Sequence, residues 1–398
     1  MRVNVAARVK ELPAYLFGKL NALKYEKRRQ GLDIIDLGMG NPLDPTPKAI
    51  VDKLCQAVQD PRNHRYSTAT GIFSLKREVG LLYERRYGVK IDPTNEIICT
   101  IGSKEAFSHL CLALLGPGDT AIVPQPAFPI HSYAIRLAGA SVLQIGLHSE
   151  EQMLRDVDGL MRSLRPKPKL LVLNFPHNPT TVSVSLEFFE DMARLARRHR
   201  LFVVSDLAYG ATTFDGYRPP SFLQAKYGKD VAVELTTMSK EFNMAGWRVG
   251  YCVGNRDAVE ALGRVKAYYD YGLFQPLQIA SIIALRHCIP DGAAQALVYQ
   301  KRRDALCDGL ERAGWEITKP KATMFVWAPI PEPYRRRGSV RFAYDLLEKA
   351  RVAVAPGAGF GEAGEGYLRL AVVENEKRLR QAVAQIRRAF PAANAQGG

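Results

Sequence analysis

The sequence predicts an α/β protein built on a mostly parallel, doubly wound sheet, with a smaller α+β domain beside it. From about residue 96 onward, short β-branched segments alternate with longer segments of helical pattern. Strands separated by helices are typical of parallel sheets. After residue 288 the pattern restarts with fewer strands, which indicates a second layer. The predicted domains are residues 48–288 for the large one, and residues 1–47 with 289–398 for the small one.

Seven segments are predicted to form the strands of the large sheet. They are, in order, EIICTI, TAIVPQ, VLQIG, LLVLNF, LFVVSD, ELTTM and VGYCVG. Most of the connections exceed the roughly dozen residues that a parallel crossover needs. The connection from Ser239 to Arg248 is shorter, so the strand at 249–253 is predicted to be antiparallel. A long amphipathic stretch follows at about 256–288.

The predicted small domain contains helices and strands in irregular alternation. In order, they are a helix at 293–313, the strand ATMFVWAP, a helix at 339–350, the strands VAVAP and YLRLAVV, and a helix at 376–390. The first forty residues carry too little apolar pattern to fold alone. We therefore expect them to pack on this second layer or on a partner chain.

Composition excludes several classes of protein. The chain has 398 residues, of which 47% are hydrophobic and 24% charged, as in ordinary globular proteins. Its net charge of +15 is scattered over predicted helices and loops, which favours a solvated basic surface over a nucleic-acid site. Neither a signal peptide nor a membrane span is apparent, so a cytoplasmic location is expected. The six cysteines form no C-x-x-C pair; we expect reduced core residues and no metal site.

The segment GFGEAG at 359–364 matches the G-x-G-x-x-G pattern of dinucleotide sites. Such a site needs a helix that begins at those glycines and an acidic residue about 20 positions later. Here the strand YLRLAVV follows instead, and the region near residue 384 reads AQIRR. A flexible glycine loop is the favoured interpretation.

Polar residues recur where the predicted parallel strands end, which is where α/β proteins build their sites. Gly102, Ser103 and Lys104 follow EIICTI and begin a helix, an arrangement suited to an anion such as phosphate. N-capping by Ser103 is the alternative. Phe128 follows TAIVPQ and offers a plane on which a flat ring can stack, although core packing would explain it equally.

The next strand ends carry groups with more definite chemistry. LLVLNF leads into PHNP with Asn178, which a turn role alone would also explain. Asp206 closes LFVVSD, where a carboxylate is costly unless it meets a cation, and Tyr209 follows.

The segment TTMSKEFNMAGWRVG supplies Thr237, Lys240 and Arg248. The alternative for Lys240 is a surface lysine whose aliphatic stem covers apolar surface. Together the strand ends offer an anion cradle, an aromatic plane, an acid and a lysine. Pyridoxal phosphate requires such a set, because its aldehyde needs an amine and its pyridine nitrogen needs a carboxylate.

The ordered series GSKEA, PAFPIH, NFPHNPT, VVSDLAYG and SKEFNMAGWRVG resembles the class I, fold type I, pyridoxal-phosphate-dependent aminotransferases over nearly the whole chain. The segments GMGNP, YSTATGI, YYDYG and PGAGFG are similar to those of bacterial alanine (glutamate–pyruvate) aminotransferases. The sequence departs from the usual pattern at Phe128, where tyrosine is common, and at Thr237, where serine is usual. A glycine that often ends the NFPHNPT motif is also missing.

This resemblance implies a role for each cofactor-site residue. Lys240 would form the Schiff base and shuttle a proton, and Asp206 would pair with the pyridinium nitrogen. Asn178 and Tyr209 would hold the phenolate oxygen, with Phe128 stacked on the ring. The phosphate would be held by Ser103, Lys104, Thr237, Arg248 and, from a second subunit, Tyr66. The family's active sites are shared between two chains, so the resemblance also implies a homodimer.

The resemblance implies substrate contacts as well. Arg369 would bind the α-carboxylate as a bidentate fork; without the resemblance, it would equally be a surface residue of an edge strand. Gly40 and Asn41 would let the N-terminal segment approach the substrate, and Tyr15 would cover the partner's site.

The predicted function is ping-pong transfer of an amino group between L-alanine or glutamate and the 2-oxo acids pyruvate or 2-oxoglutarate. The alternatives are an aminotransferase for LL-diaminopimelate or another amino acid (aspartate, aromatic, methionine), or a carbon–sulfur lyase that uses the same cofactor. A cofactor-binding regulator is disfavoured because no DNA-binding module precedes the predicted fold.

Overall fold

A computed structural model describes residues 3–10, 12–13 and 16–391, with Leu16 and Phe17 described by their backbone alone. The strands in this part of the chain are β1 (Ile35–Asp36), β2 (Ile97–Thr100), β3 (Thr120–Gln125), β4 (Ser141–Gly146), β5 (Leu170–Asn174), β6 (Phe202–Asp206), β7 (Ala232–Thr237), β8 (Gly250–Gly254), β9 (Phe325–Pro329), β10 (Val352–Ala353), β11 (Ala355–Pro356) and β12 (Tyr367–Ala371).

The α-helices alternate with these strands through the middle of the chain. They are α1 (Ala7–Lys10), α2 (Leu16–Arg29), α3 (Lys48–Val58), α4 (Phe73–Tyr87), α5 (Gly102–Leu114), α6 (Ile130–Leu137), α7 (Glu150–Ser163), α8 (Leu186–His199), α9 (Gly228–Val231), α10 (Met238–Glu241), α11 (Arg256–Tyr269), α12 (Gln275–His287), α13 (Ile289–Arg312), α14 (Glu332–Arg335), α15 (Gly338–Lys349) and α16 (Glu376–Ala389).

The large sheet has seven strands in the order β2-β8-β7-β6-β5-β3-β4. The pairs among β3 to β7 are parallel, whereas β8 runs antiparallel to both of its neighbours, as the short connection before it predicts. Gly250, at the start of β8, lies so close to the turn after β2 that a Cβ on it would lie 2.8 Å from the carbonyl carbon of Gly102. The predicted fold class is therefore confirmed.

Helices cover both faces of this sheet, because its central strands are apolar on both sides. Leu171 and Val203 face one core together with Phe188 of α8. Their neighbour Val172 faces the opposite core, where Phe107 of α5 packs. Each such side chain contributes about 1.5–3 kcal/mol by leaving water. The packed layers hold the carboxyl ends of the strands at fixed positions.

A second layer combines the antiparallel sheet β11-β12-β9 with the parallel pair β1–β10. Its core joins α13, α15 and α16 to Leu20, Ile35 and Leu37 of the N-terminal segment. The expectation that this segment packs on the second layer is confirmed. The exact domain boundaries, 48–288 against 1–47 with 289–398, stay a prediction.

Two segments that the sequence analysis described as continuous are divided in the structure. The stretch at 256–288 forms two helices, because the chain turns at residues 270–274, where Tyr271 and Gly272 adopt positive φ angles of 57° and 94°. VAVAP divides into β10 and β11, which pair with different strands.

Two further expectations need correction. The segment GFGEAG is not a loose loop: it forms short 3-10 turns, and a Cβ on Gly357 would lie 1.8 Å from the carbonyl oxygen of Gly364. Five of the cysteines are buried, but Cys55 is exposed on α3. In the described part of the chain, no helix is both long enough and apolar enough to cross a membrane.

Candidate functional site

A cleft of about 620 Å³ lies at the carboxyl ends of the large-sheet strands. The second layer forms its opposite wall through β9, β12 and the segment that follows β1. Of the residues predicted for the site, those that line the cleft are Gly40, Asn41, Ser103, Lys104, Phe128, Asn178, Asp206, Tyr209, Thr237, Lys240, Arg248 and Arg369. The predicted convergence of the strand ends is borne out in this geometry.

Lys240 lies on α10, the single helical turn that follows β7. Its Nζ donates to the carbonyl oxygen of Gly40 at 2.9 Å and lies 6.0 Å from the centroid of the Tyr209 ring. Burial, followed by the charges of Arg369 and Arg248, lowers the pKa of Lys240 to about 8. The surface-lysine alternative is therefore wrong: the amine faces the cleft, and its neutral form is far more accessible near physiological pH than that of an ordinary lysine.

Asp206 ends β6 and is buried at the base of the cleft. Its Oδ2 lies 3.0 Å from His131 Nε2, and its Oδ1 accepts from the backbone N–H of Ala208 at 3.1 Å. The ring of Phe128 meets His131 edge-on, with the centroids 6.0 Å apart. Phe128 is half-buried and also packs against the small core of Ala355 and Phe360, so its ring belongs both to the cleft wall and to that core. His131 was missed by the sequence analysis.

Arg369 is buried in β12, the middle strand of its sheet, so the edge-strand alternative is wrong. Its Nη1 donates to Asn178 Oδ1 at 2.7 Å, and its Nη2 donates to the Gly38 carbonyl at 3.1 Å. The guanidinium lies over the rings of Phe325 and Phe360, at 4.0 and 4.7 Å from their centroids. Such stacking fixes the plane of the fork.

Asn178 is held from two sides. Its backbone N–H donates to Asn174 Oδ1 at 3.0 Å, while its own amide oxygen accepts from Arg369. With that oxygen engaged, the amide nitrogen remains as the donor group of the side chain. Asn178 is therefore more than a turn residue, because it connects the large sheet to Arg369 on the second layer.

A cradle for an anion lies between the start of α5 and the end of the TTMSKEFNMAGWRVG segment. Ser103 and Lys104 occupy the first turn of α5, but the helix N-cap is Ile101, so Ser103 is not the capping residue. Gly102 has φ 75°, and a Cβ there would lie 2.5 Å from Arg248 Nη2. The backbone turn and the guanidinium are thus in contact, and only glycine fits between them.

Hydroxyl groups complete this cradle. Thr237 caps α10 by accepting from the backbone N–H of Ser239 at 3.2 Å, and the two hydroxyl oxygens lie 2.8 Å apart. Ser239 also lines the cleft. It was not predicted, because a serine directly before a lysine has no sequence pattern that indicates a binding site. Two cations, three hydroxyls and a helix N-terminus suit a phosphate group. With the acid, the amine and the aromatic plane, the set fits pyridoxal phosphate.

One of the predicted residues that the structure describes, Tyr66, is not brought to the cleft. The ring of Tyr66 is 91% exposed and contacts Tyr271 edge-on, with the centroids 5.5 Å apart. Tyr15 lies outside the described residues. Neither contact of the predicted second subunit is therefore visible in a single chain.

Comparison with known proteins agrees with this geometry. The family model of class I and II aminotransferases matches residues 32–386. The chain is 48% identical over 388 residues to the glutamate-pyruvate aminotransferase AlaC of Escherichia coli, covering 97% of this chain and 93% of that protein. It is 41% identical over 383 residues to the LL-diaminopimelate aminotransferase of Moorella thermoacetica, covering 96% and 97%.

Among solved structures, the substrate-bound BacF protein of Bacillus subtilis superposes with a TM-score of 0.90 at 33% identity, over 98% of both chains. The family match, the identities and the shared fold extend over nearly the whole chain. The chain therefore belongs to the class I and II aminotransferases, which use pyridoxal phosphate to move amino groups.

Proposed function

We propose that this aminotransferase moves amino groups between L-alanine or L-glutamate and the 2-oxo acids pyruvate and 2-oxoglutarate, by a ping-pong mechanism. The greater identity to the E. coli glutamate-pyruvate enzyme, 48% against 41% for the LL-diaminopimelate enzyme, supports this choice. The observation that carries the chemistry is Lys240, an amine inside the cleft with a pKa of about 8.

Bound pyridoxal phosphate supplies an aldehyde for amine exchange and an aromatic ring that withdraws electrons from the substrate's Cα. Lys240 would anchor that aldehyde and, when the substrate amine displaces it, move the proton at Cα. A lysine with a pKa near neutrality suits this acid–base role, because both its protonated and its neutral forms are accessible. Asp206 would hold a proton at the pyridine nitrogen.

The other cleft residues would bind and orient the cofactor. Tyr209 and the amide nitrogen of Asn178 would donate to the phenolate oxygen, and Phe128 would stack on the ring. The phosphate would be bound by Ser103, Lys104, Thr237, Ser239 and Arg248. In this arrangement the turns at α5 and α10 would fix the position of the cofactor, and the amine of Lys240 would be available to react.

Arg369 would bind the α-carboxylate that amino acids and 2-oxo acids share. The contacts from Asn178 and Gly38 and the two stacked phenylalanine rings orient its guanidinium before substrate arrives. Gly40 suits a close approach, because a Cβ there would lie 2.5 Å from the Phe325 ring. Both half-reactions of a ping-pong cycle need the same carboxylate site, and one such fork serves both.

We propose further that the working enzyme is a homodimer with shared active sites. Tyr66 is 91% and Tyr268 93% exposed, with Tyr271 and Phe274 also exposed nearby. Large aromatic side chains grouped on a surface are typical of interfaces. Covering this surface with a second copy would bring Tyr66 toward the partner's phosphate and would leave Tyr15 to approach the partner's cleft.

The experiment that tests the substrate assignment is a panel of amino donors and acceptors with purified enzyme. L-alanine with 2-oxoglutarate, and L-glutamate with pyruvate, should give the highest kcat/KM. LL-diaminopimelate, aspartate, methionine and phenylalanine serve as competing donors in the same assay. A higher kcat/KM with any of these competitors would contradict the proposed specificity.

LL-diaminopimelate is the second candidate substrate, since relatives of that activity share 41% identity and the cleft extends to α2, where Lys24, Tyr25 and Arg28 line it. A longer substrate would occupy this extension. Steady release of ammonia and a keto acid without any amino acceptor would instead indicate a lyase.

A further inference from the structure

A cluster of charged side chains lies behind the phosphate cradle, outside the cleft lining. Lys266 of α11 is fully buried, and its Nζ lies 3.0 Å from Glu105 Oε1 and 3.0 Å from Asp270 Oδ1. His109, one turn after Glu105 on α5, is hydrogen-bonded to the same Glu105 oxygen and lies 3.4 Å from Asp270. A buried ammonium is costly, and these two carboxylates offset that cost.

The cluster has the composition of a metal site, but Lys266 already provides the cation. Ligand atoms of Glu105, His109 and Asp270 lie within 4.8 Å of one another. The ammonium of Lys266 bridges the two carboxylates at hydrogen-bond distance. A divalent ion would have to displace this fixed charge. A structural role therefore explains the cluster better than metal binding does.

Glu105 connects the cluster to the phosphate cradle. Its second oxygen, Oε2, accepts from the backbone N–H of Ile101 at 2.8 Å. Ile101 is the N-cap of α5, and the next residue is Gly102, which contacts the guanidinium of Arg248. With one oxygen on Lys266 and the other on Ile101, the carboxylate of Glu105 closes the turn that presents Ser103.

The opposite side of the cluster holds a second turn. The carbonyl oxygen of Lys266 accepts from the backbone N–H groups of Asp270 and Tyr271, at 3.1 and 2.9 Å. Asp270 Oδ1 accepts from the N–H of Gly272 at 2.8 Å. The turn carries Tyr271, whose ring contacts Tyr66. One ammonium is thus bonded to the carboxylates of two turns, one at the phosphate cradle and one beside Tyr66.

We propose that Glu105, Lys266 and Asp270 are positioning residues, which fix the turn at 101–104 and the turn at 270–272 for binding of the cofactor's phosphate. The inference rests on the proposed phosphate role of Ser103, Lys104 and Arg248. It predicts that damage to the cluster weakens the phosphate-dependent part of cofactor affinity and leaves the pyridoxal part unchanged.

The test compares pyridoxal phosphate with pyridoxal, which lacks the phosphate, by titrating the cofactor-free full-length protein. In Glu105→Gln and in Lys266→Met, affinity for pyridoxal phosphate should fall about tenfold, within the range for neighbouring groups that act through one another. Affinity for pyridoxal should stay within about twofold, because the ring contacts are untouched. In the variant that carries both substitutions, the two losses of affinity for pyridoxal phosphate should not add, because Lys266 acts through Glu105.

The Glu105→Gln variant also separates positioning from simple charge. Removing a negative charge near an anion site should strengthen phosphate binding if only charge matters, whereas loss of positioning should weaken it. Lys76→Met, which removes a different buried lysine, is the matched control and should retain wild-type affinity for both ligands. If Lys266→Met does not fold, as judged by thermal unfolding, Glu105→Gln alone decides.

Two results would overturn the inference: equal weakening of both ligands, or unchanged or tighter binding of pyridoxal phosphate by Glu105→Gln. If the wild-type protein itself binds pyridoxal as tightly as pyridoxal phosphate, the proposed phosphate cradle is wrong. Failure of the phosphate cradle can be distinguished from failure of the positioning role, because it is seen with the wild-type protein alone.

Discussion

Lys240 in the cleft and Lys266 in the charged cluster are two enclosed lysines with opposite surroundings. Burial, followed by the charges of its neighbours Arg369 and Arg248, lowers the pKa of Lys240 to about 8. Lys266 is bonded to two carboxylates at 3.0 Å and is fully enclosed. The charged neighbours of the first lysine repel an ammonium, whereas those of the second form ion pairs with it.

The contrast shows that the reactivity of a lysine is set by its neighbours. Burial and the two cations near Lys240 together make a neutral amine accessible, which a nucleophile needs. Lys266 instead makes ion pairs with two carboxylates, an arrangement suited to holding two turns together. The following predictions test this difference, beginning with the largest expected effect.

Lys240→Ala should abolish transamination. Without this amine, neither the anchor for the aldehyde nor the group that moves the Cα proton remains, and general acid–base catalysis alone is worth up to about 10⁴-fold. The measurement is kcat with L-alanine and 2-oxoglutarate at saturating cofactor. Lys76→Met is the control and should keep wild-type kcat. A Lys240→Ala enzyme within tenfold of wild type would disprove the assignment of this lysine.

Arg369→Leu should weaken the binding of 2-oxo acids. Loss of one partner of a buried, hydrogen-bonded charge pair costs roughly 2–5 kcal/mol, so KM should rise steeply for every 2-oxo acid that is tested. Arg369→Lys, which keeps the charge but not the fork, should fall between wild type and Arg369→Leu. Unchanged KM values for pyruvate and 2-oxoglutarate in Arg369→Leu would exclude Arg369 from the substrate site.

Substitution by methionine should affect stability in opposite ways at the two lysines. Lys266→Met leaves Glu105 and Asp270 without their shared cation, which should lower the free energy of unfolding by about 3 kcal/mol. Lys240→Met removes a destabilised ammonium and should leave the cofactor-free protein as stable as wild type or more so. Urea unfolding of both variants provides the comparison, and similar destabilisation of the two would contradict it.

The pKa of Lys240 should appear in the pH dependence of cofactor attachment. Only the neutral amine attacks an aldehyde, so the attachment rate should rise with pH and level off above about pH 8. Arg369→Leu should move this midpoint upward by on the order of one unit, since a nearby cation is lost. Pyridoxamine phosphate has no aldehyde, so the rate at which it binds should not rise with pH in this way. A midpoint near 10.5, the ordinary value for lysine, would contradict the account.

The same pKa fixes the sign of a stability effect in the cofactor-free protein. Because the folded value lies below 10.5, the unfolded chain binds more protons between about pH 8 and 10.5. The contribution of Lys240 is therefore most destabilising below pH 8, and it is relieved as pH rises through that window. Lys240→Met should lack this pH dependence.

The sequence was informative wherever the chemistry lies at strand ends. Ser103, Asp206 and Thr237 follow apolar segments whose parallel arrangement could be inferred from their connections. Parallel strands place their carboxyl ends at one edge, so proximity followed from topology. The antiparallel direction of β8 was predicted for the same reason, since ten residues are too few for a crossover.

Residues that act through packing between distant segments could not be predicted. His131 reaches Asp206 from α6, 75 positions away, and Lys266 meets Glu105 across 161 positions. Neither has a local pattern that differs from an ordinary helix. The break at Asp270 was missed because the amphipathic pattern continues on both sides of it. The role proposed for Tyr66 depends on a second chain, which the geometry of one chain does not contain.

The most direct test of the contrast is to identify which lysine binds the cofactor. The cofactor-free protein is mixed with an equimolar amount of pyridoxal phosphate, reduced with borohydride and digested, and the modified peptide is identified by mass spectrometry. We predict that the adduct lies on Lys240 and that Lys266 is unmodified. An adduct on another lysine, with Lys240 unmodified, would contradict the account.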